Sequence, residues 1–253
     1  MAPPKKTSGA KSGSPSAGPA RKLATRVKTA RGRKISSTRW LQRQLNDPFV
    51  AAAHAEGYRS RAAFKLIGLD DRFKFLNPGA RVADLGAAPG GWCQVAAERV
   101  NAGGTGKGPQ GKVVGIDITP IEPITDVTLL VGDIYDDAAL EQVRQALGGH
   151  ADVVLSDMAA ASTGHRQTDH IRIMALCEAA LDFAMEILNP GGAFVAKVLK
   201  GGTEDQLLNA IKRDFEQVRH AKPEASRKDS AEAYIVALGF RGKKPLESGG
   251  ESG

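Results

Sequence analysis

The first 46 residues of this 253-residue chain contain no acidic side chain; the first is Asp47. Only two cysteines occur, Cys93 and Cys177, far apart and with no Cys-x-x-Cys or histidine partner spacing. That excludes a disulfide framework and argues against a zinc site, leaving reduced thiols. No apolar run approaches the length of a membrane span, and the N-terminus lacks the apolar stretch of a secretory signal. A soluble protein is expected, with one substantial α/β domain and appendages.

What is present is unevenly distributed. Of the formal net charge of +7, residues 1–34 carry +10 and the other 219 residues −3. The N-terminal stretch is rich in Ser, Gly, Pro, Ala and Lys/Arg, cannot bury enough apolar surface to fold alone, and reads as a disordered basic tail. Three roles remain open for it: an arm that holds nucleic acid through phosphates, a solubilising tail, or an organellar transit peptide. Residues 242–253 read as a flexible C-terminal tail.

Between the tails lies one domain, 35–241. Residues 48–76 read as mostly helical, within an N-terminal helical segment at 35–76, and "NPGA" (77–80) as a turn. Strands are expected near 81–85, 112–118, 127–133, 152–157, 193–199 and 233–240. Helices are expected over 92–100, 137–147, Asp169–Leu188 (stopped by "NPGG") and 204–216. Alternating strands and helices imply a mostly parallel sheet covered on both faces. "NAGGTGKGPQG" (101–111) reads as a flexible loop, and it fails the phosphate-loop pattern because Lys107 is followed by Gly108 and Asn101 stands where the first glycine belongs.

In such a sheet, ligands sit beyond the carboxyl ends of the strands. Asp84, Asp117, Asp133 and Asp157 all fall at or just past strand ends, implying an acid-lined crevice. The turn "DLGAAPGGW" (84–92) bears Gly86, Gly90 and Gly91, with Ala88 where a dinucleotide fingerprint needs its second glycine. Carboxylates would repel phosphates, but suit a ligand with hydroxyls, amines and a positive centre. S-adenosylmethionine has these features, and the turn is similar to the Asp-x-Gly-x-x-x-Gly pattern of class I methyltransferases. Asp117, 31 residues after Gly86, is placed for the ribose hydroxyls and Asp133 for the adenine amine.

The acceptor is narrowed by what is missing. "SDMAAAS" (156–162) lacks the Pro-Pro-aromatic element of base-amine methylation, and neither cysteine stands where pyrimidine-carbon methylation needs its nucleophile. Asp157, Lys197 and Glu232 remain. Lys197 lies inside an apolar strand, where lysine is seldom buried without a partner. It either snorkels to the surface or takes a proton from a weakly acidic hydroxyl. An unperturbed lysine, with a pKa of about 10.4, is neutral at pH 7 only about once in a few thousand molecules, and a ~3-unit drop would cost the ammonium roughly 4 kcal/mol. Partial burial, a second cation such as Lys65 and the sulfonium could provide that. Trp92 could be only a packing residue, Glu232 could pair merely with Arg227 or Lys228, and His165 and His170 read as solvated loop residues.

"SRAAFKL", "DLGAAPGGW", "SDMA", "FVAKV" and "SRKDSAEAYIVA", in this order, resemble the motifs of the FtsJ/RlmE ribosomal RNA 2′-O-methyltransferases over roughly residues 36–240. The resemblance implies a Rossmann-like class I S-adenosylmethionine-dependent methyltransferase fold. It implies a catalytic tetrad of Lys65, Asp157, Lys197 and Glu232, with Lys197 as proton acceptor and no metal. Cofactor contacts would fall on Gly86, Gly90, Trp92, Asp117, Asp133 and Asp157. The implied acceptor is a uridine ribose of large-subunit (23S-type) ribosomal RNA, on the assembled or late-assembly subunit, in the cytoplasm and by a monomer. Ala160 and Ala161 depart from the family's Pro-Asn, the Gly-rich 103–111 segment looks like an insertion, and the basic tail is no part of the family core.

The arm reading has a direct consequence, because phosphate contacts release counterions and lose affinity steeply with salt. Deleting residues 1–34 should weaken RNA binding and flatten its salt dependence, leaving turnover at saturation nearly intact. An unchanged salt slope in filter binding would refute the arm.

Overall fold

The computed structural model describes residues 35–160, 163–199 and 204–242. Both expected tails (apart from residue 242) and Ala161 lie outside the described residues. The chain divides into two units, 1–47 and 48–253. In the first, α1 (Ile35–Leu45) is followed by Asn46, whose side-chain amide donates to the Gln42 carbonyl at 2.7 Å.

The second unit begins with α2 (Pro48–Glu56) and α3 (Ala63–Phe73), then runs β1 (Arg81–Leu85), α4 (Gly91–Arg99), β2 (Lys112–Asp117) and β3 (Val127–Val131). It continues with α5 (Asp137–Leu147), β4 (Ala151–Ser156), α6 (Arg166–Ile187), β5 (Leu188–Leu199), α7 (Glu204–Asp214), β6 (Phe215–Ala221) and β7 (Glu232–Phe240). The seven strands form one sheet in the order β3-β2-β1-β4-β5-β7-β6. Strands β1 to β5 pair in parallel, while β7 runs antiparallel to both β5 and β6. Among the described residues, no helix is long and apolar enough to cross a membrane.

Both faces are covered, as expected of a parallel sheet whose strands are near-continuous apolar runs. Ala83, Val154, Phe194, Ala196 and Ile235 face one cluster with α5, α6 and α7. Val82, Val153, Val195, Tyr234 and Val236 face the other, with α3 and α4. Helix α3 enters that cluster through Leu66 and Leu69, one helical turn apart. Local signals set the ends of α5: Asp136 caps it by accepting from the Ala138 N–H at 2.9 Å, and Gly148 closes it at φ 74°.

Four expectations are corrected. β6 was not foreseen, because only Phe215 and Ala221 of its seven residues are buried and it lies at the sheet edge; the helix expected over 204–216 ends at Asp214. "NPGG" does follow the end of α6, but it belongs to β5, with a register irregularity opposite Ala151–Val153. Helix α6 begins at Arg166, so His170 is helical and only His165 precedes it. The 101–111 segment is folded around Asn101, whose Oδ1 accepts from the Gly106 N–H at 2.7 Å while Nδ2 donates to the Gly108 carbonyl at 3.1 Å.

Gly115, in β2, is where α4 meets the sheet: a Cβ there would stand 2.6 Å from Cys93 Sγ and 3.0 Å from Ala87 Cβ. Gly115→Ala should therefore lower stability by about 1–3 kcal/mol, measured as a drop in the urea midpoint with unchanged slope. Wild-type stability would contradict this packing.

Candidate active site

Strand parity brings the polar residues of β5 and β7 together. Lys197 alternates with Ala196 and Val198 and so faces the α3–α4 side, where its register partner on β7 is Tyr234. Glu232, two residues before Tyr234, shares that face, and α3 presents Lys65 to it. Asp157 follows β4 directly, at the carboxyl edge of the sheet.

These residues form one connected cluster. Lys65 Nζ is 2.8 Å from Glu232 Oε2 and 3.5 Å from Asp157 Oδ2. Lys197 Nζ lies 3.0 Å from Asp157 Oδ1 and donates to the Asp157 main-chain carbonyl at 2.6 Å. Lys197 is 8% exposed, so it does not snorkel. The oxygens of Glu232 engage Lys65 and the Ser226 hydroxyl, which donates at 2.7 Å. Lys65 is distant from Glu232 in sequence, whereas Ser226 precedes it by only six residues. Burial raises the Asp157 carboxyl, but the charges of Lys197 and Lys65 and the hydrogen bonds from Tyr234 and Lys197 outweigh it and hold the group below the usual carboxylate range. Asp157 is therefore ionised at neutral pH.

Tyr234 is a member that sequence reasoning missed. Fully buried, it donates from its hydroxyl to Asp157 Oδ1 at 2.7 Å. Burial, then the charges of Asp157 and Glu232, push its phenol well above its ordinary value, so it remains a donor. Its ring lies 5.7 Å from Lys65 Nζ. Only its parity with Glu232 could have indicated it. Ser226 was also missed; it is buried in the loop before β7.

Beside this cluster is a cavity of about 490 Å³, lined by Gly86, Ala88, Asp117, Asp133, Asp157 and Met158 among others. Its size is within the roughly 300–1,000 Å³ of small-molecule sites. Gly86 sits at φ +72°, and a Cβ on it would collide with the Met158 side chain, which also lines the cavity, so glycine is required there. Asp117 accepts from the Ala88 N–H at 3.0 Å and the Thr119 N–H at 2.8 Å; Asp133 accepts from the Tyr135 N–H at 3.1 Å. Each carboxylate has about four lone-pair sites and keeps acceptor capacity for a ligand.

Two expected cofactor residues do not line the cavity. Trp92 is 3% exposed, donates from its indole N–H to the Ala62 carbonyl at 2.8 Å and packs on Tyr234 at 5.7 Å. Gly90 caps α4 at φ 109°, between Arg59 and Ile124. Among the described residues, no three His, Cys, Asp or Glu side chains form a metal-binding group.

A family model described as FtsJ-like methyltransferase matches residues 58–240. The Ribosomal RNA large subunit methyltransferase E of Parvibaculum lavamentivorans is 59% identical over 244 residues, covering 94% of this chain and 96% of the relative. The protein of the same name from Roseobacter denitrificans is 62% identical over 225 residues, covering 88% and 93%. A crystal structure of a ribosomal RNA methyltransferase from Plasmodium falciparum, described as putative, aligns with a TM-score of 0.65 and 31% identity, covering 74% of this chain and all of that one.

Asp84 corrects the expectation of four lining acids. It is the penultimate residue of β1, points under the turn towards α4, is 1% exposed and accepts from the Cys93 thiol at 3.1 Å. Burial, reinforced by the negative charges of Asp157 and Asp117 and opposed by the Cys93 hydrogen bond, pushes its carboxyl from 3.8 up to about 7. The folded protein thus holds this proton more tightly than the unfolded chain. The resulting stabilisation is complete below about pH 4 and disappears as pH rises through about 7. Asp84→Asn, without ligand, should leave stability near pH 4 little changed and raise it at pH 8 by up to about 4 kcal/mol. Parallel pH–stability curves for variant and wild type would disprove the shift.

Proposed function

The chain belongs to the FtsJ-like methyltransferase family, and on that premise we propose that it methylates the ribose 2′-hydroxyl of a uridine in large-subunit ribosomal RNA. The methyl donor is S-adenosylmethionine, and the acceptor is the assembled or late-assembly large subunit. We assign the protein to the cytoplasm, where that acceptor is found, and to a monomeric state. One observation carries the reading: Asp157 belongs both to the cavity wall and to the lysine–carboxylate cluster, so a small-molecule site and a proton-handling site share a border.

The cavity suits the donor on its chemistry. The carboxylates of Asp117 and Asp133 accept hydrogen bonds from hydroxyl and amine groups, and the ionised Asp157 favours a positive centre nearby. When bound, S-adenosylmethionine supplies an electrophilic methyl group on a sulfonium. Gly90 and Trp92 act from behind the wall, holding the turn and α4.

Lys197 is the proton acceptor in this reading. A neutral amine has two N–H bonds and one lone pair. With both N–H groups directed at the Oδ1 and main-chain oxygen of Asp157, the lone pair is left for the 2′-hydroxyl proton. Asp157 orients Lys197, Tyr234 fixes Asp157, and Glu232 holds Lys65 as the second cation beside the reacting oxygen. Holding the hydroxyl in place supplies much of the acceleration, and the proton transfer about 10²–10⁴-fold.

Lys197→Ala should therefore lower turnover by about 10²–10⁴-fold with little effect on cofactor affinity. Labelled S-adenosylmethionine offered with intact large subunits, free ribosomal RNA and transfer RNA tests both the acceptor and the base. Label on nucleobases, transfer RNA as the better acceptor, or wild-type protein inert towards all three would overturn the assignment.

A further inference from the structure

Arg59 is a cation that the proposed reaction leaves without a role. It stands in the "YRSR" stretch (58–61) before α3, where an arginine beside an RNA site would be expected to face phosphate. Its guanidinium is turned onto neighbouring main-chain carbonyls instead. Nη1 donates to the Glu122 carbonyl at 2.6 Å and the Pro89 carbonyl at 3.3 Å, and Nη2 to the Pro123 carbonyl at 2.6 Å.

The three acceptors come from two loops. Pro89 is in the turn after β1, which contributes Gly86 and Ala88 to the cavity wall; Glu122 and Pro123 are in the loop after β2, which contributes Ile118 and Thr119. The side chain thus bridges the two loops from behind the wall. Its own segment is anchored to α4: the Arg59 N–H donates to Gln94 Oε1 at 2.8 Å, and Gln94 Nε2 donates to the Gly57 carbonyl at 3.0 Å. The junction leaves no room for slack, since a Cβ on Gly90 would meet Ile124 Cδ1 at 2.5 Å and Arg59 Cδ at 3.4 Å. A planar fork that grips three carbonyls cannot be replaced by an ammonium, which is a point charge on a flexible stem.

We propose that Arg59 is a positioning residue for the cofactor, setting the separation of the two loops that flank the cavity. The proposal rests on the reading of that cavity as the cofactor site. It makes Arg59 act on cofactor affinity and leaves proton transfer to the cluster around Asp157.

The test is calorimetric titration of the full chain with S-adenosylhomocysteine, together with cofactor KM and kcat on large subunits. Hydrogen bonds to charged groups predict a rise in Kd of about tenfold or more for Arg59→Ala and a smaller rise for Arg59→Lys. Cofactor KM should rise in proportion, with kcat at saturating cofactor unchanged, and added guanidinium at low concentration should restore affinity to Arg59→Ala alone. An unchanged Kd, or a fall in kcat at unchanged Kd, overturns the proposal. Should Arg59→Ala fail to fold, Gln94→Ala frees the 57–59 segment without touching the guanidinium; it too should weaken binding, and an unchanged Kd overturns the proposal. Wild-type protein that does not bind S-adenosylhomocysteine overturns the cofactor reading and this inference together. Wild type and Arg59→Ala binding equally well overturn only the inference.

Discussion

A carboxylate sequestered between two amines survives in a protein interior only if charges balance and lone pairs are filled. Asp157 meets both conditions: Lys65 and Lys197 flank it, Tyr234 donates to it, and Glu232 offsets the second lysine. Two cations and two anions make the cluster neutral in its fully charged form. Removal of a proton from one amine leaves it with a net negative charge, which a positive centre in the adjoining cavity stabilises. The sheet supplies the framework: Lys197 and Tyr234 are register partners, and α3 lies across the face they share.

The reversal of β7 is essential to this arrangement. In a wholly parallel sheet, the first residue of a strand lies at the edge away from the ligand crevice. Because β7 runs against β5, its first residue, Glu232, is opposite Leu199, the last residue of β5. The antiparallel strand thus delivers a side chain from its start to the edge that the other strands reach only at their ends.

Much of this was legible in the sequence, and the failures have physical causes. Strand β1 and helix α5 have the expected limits because their signals are local: an apolar run closed by a glycine turn, and an aspartate cap with a glycine stop. Lys197 stood out as a charge in an apolar strand. Asp84 was misread because one residue of offset along a strand turns a side chain from the rim to a covered face. Edge strand β6 escaped because an edge needs few apolar residues. Tyr234 passed as an ordinary core aromatic and Trp92 was expected at the cofactor, and only long-range partners, an Asp157 oxygen for one and the Ala62 carbonyl for the other, show what each does.

The order of residues along the chain also bears on biosynthesis. The lining of the cavity is drawn from Gly86 to Leu176, whereas Lys197 and Glu232 arrive on β5 and the final strand. A nascent polypeptide emerging from the ribosome therefore exposes every side chain of the small-molecule pocket before it has the second amine or the closing carboxylate. Translation has to run almost to the end of the domain before the members of the cluster can all meet.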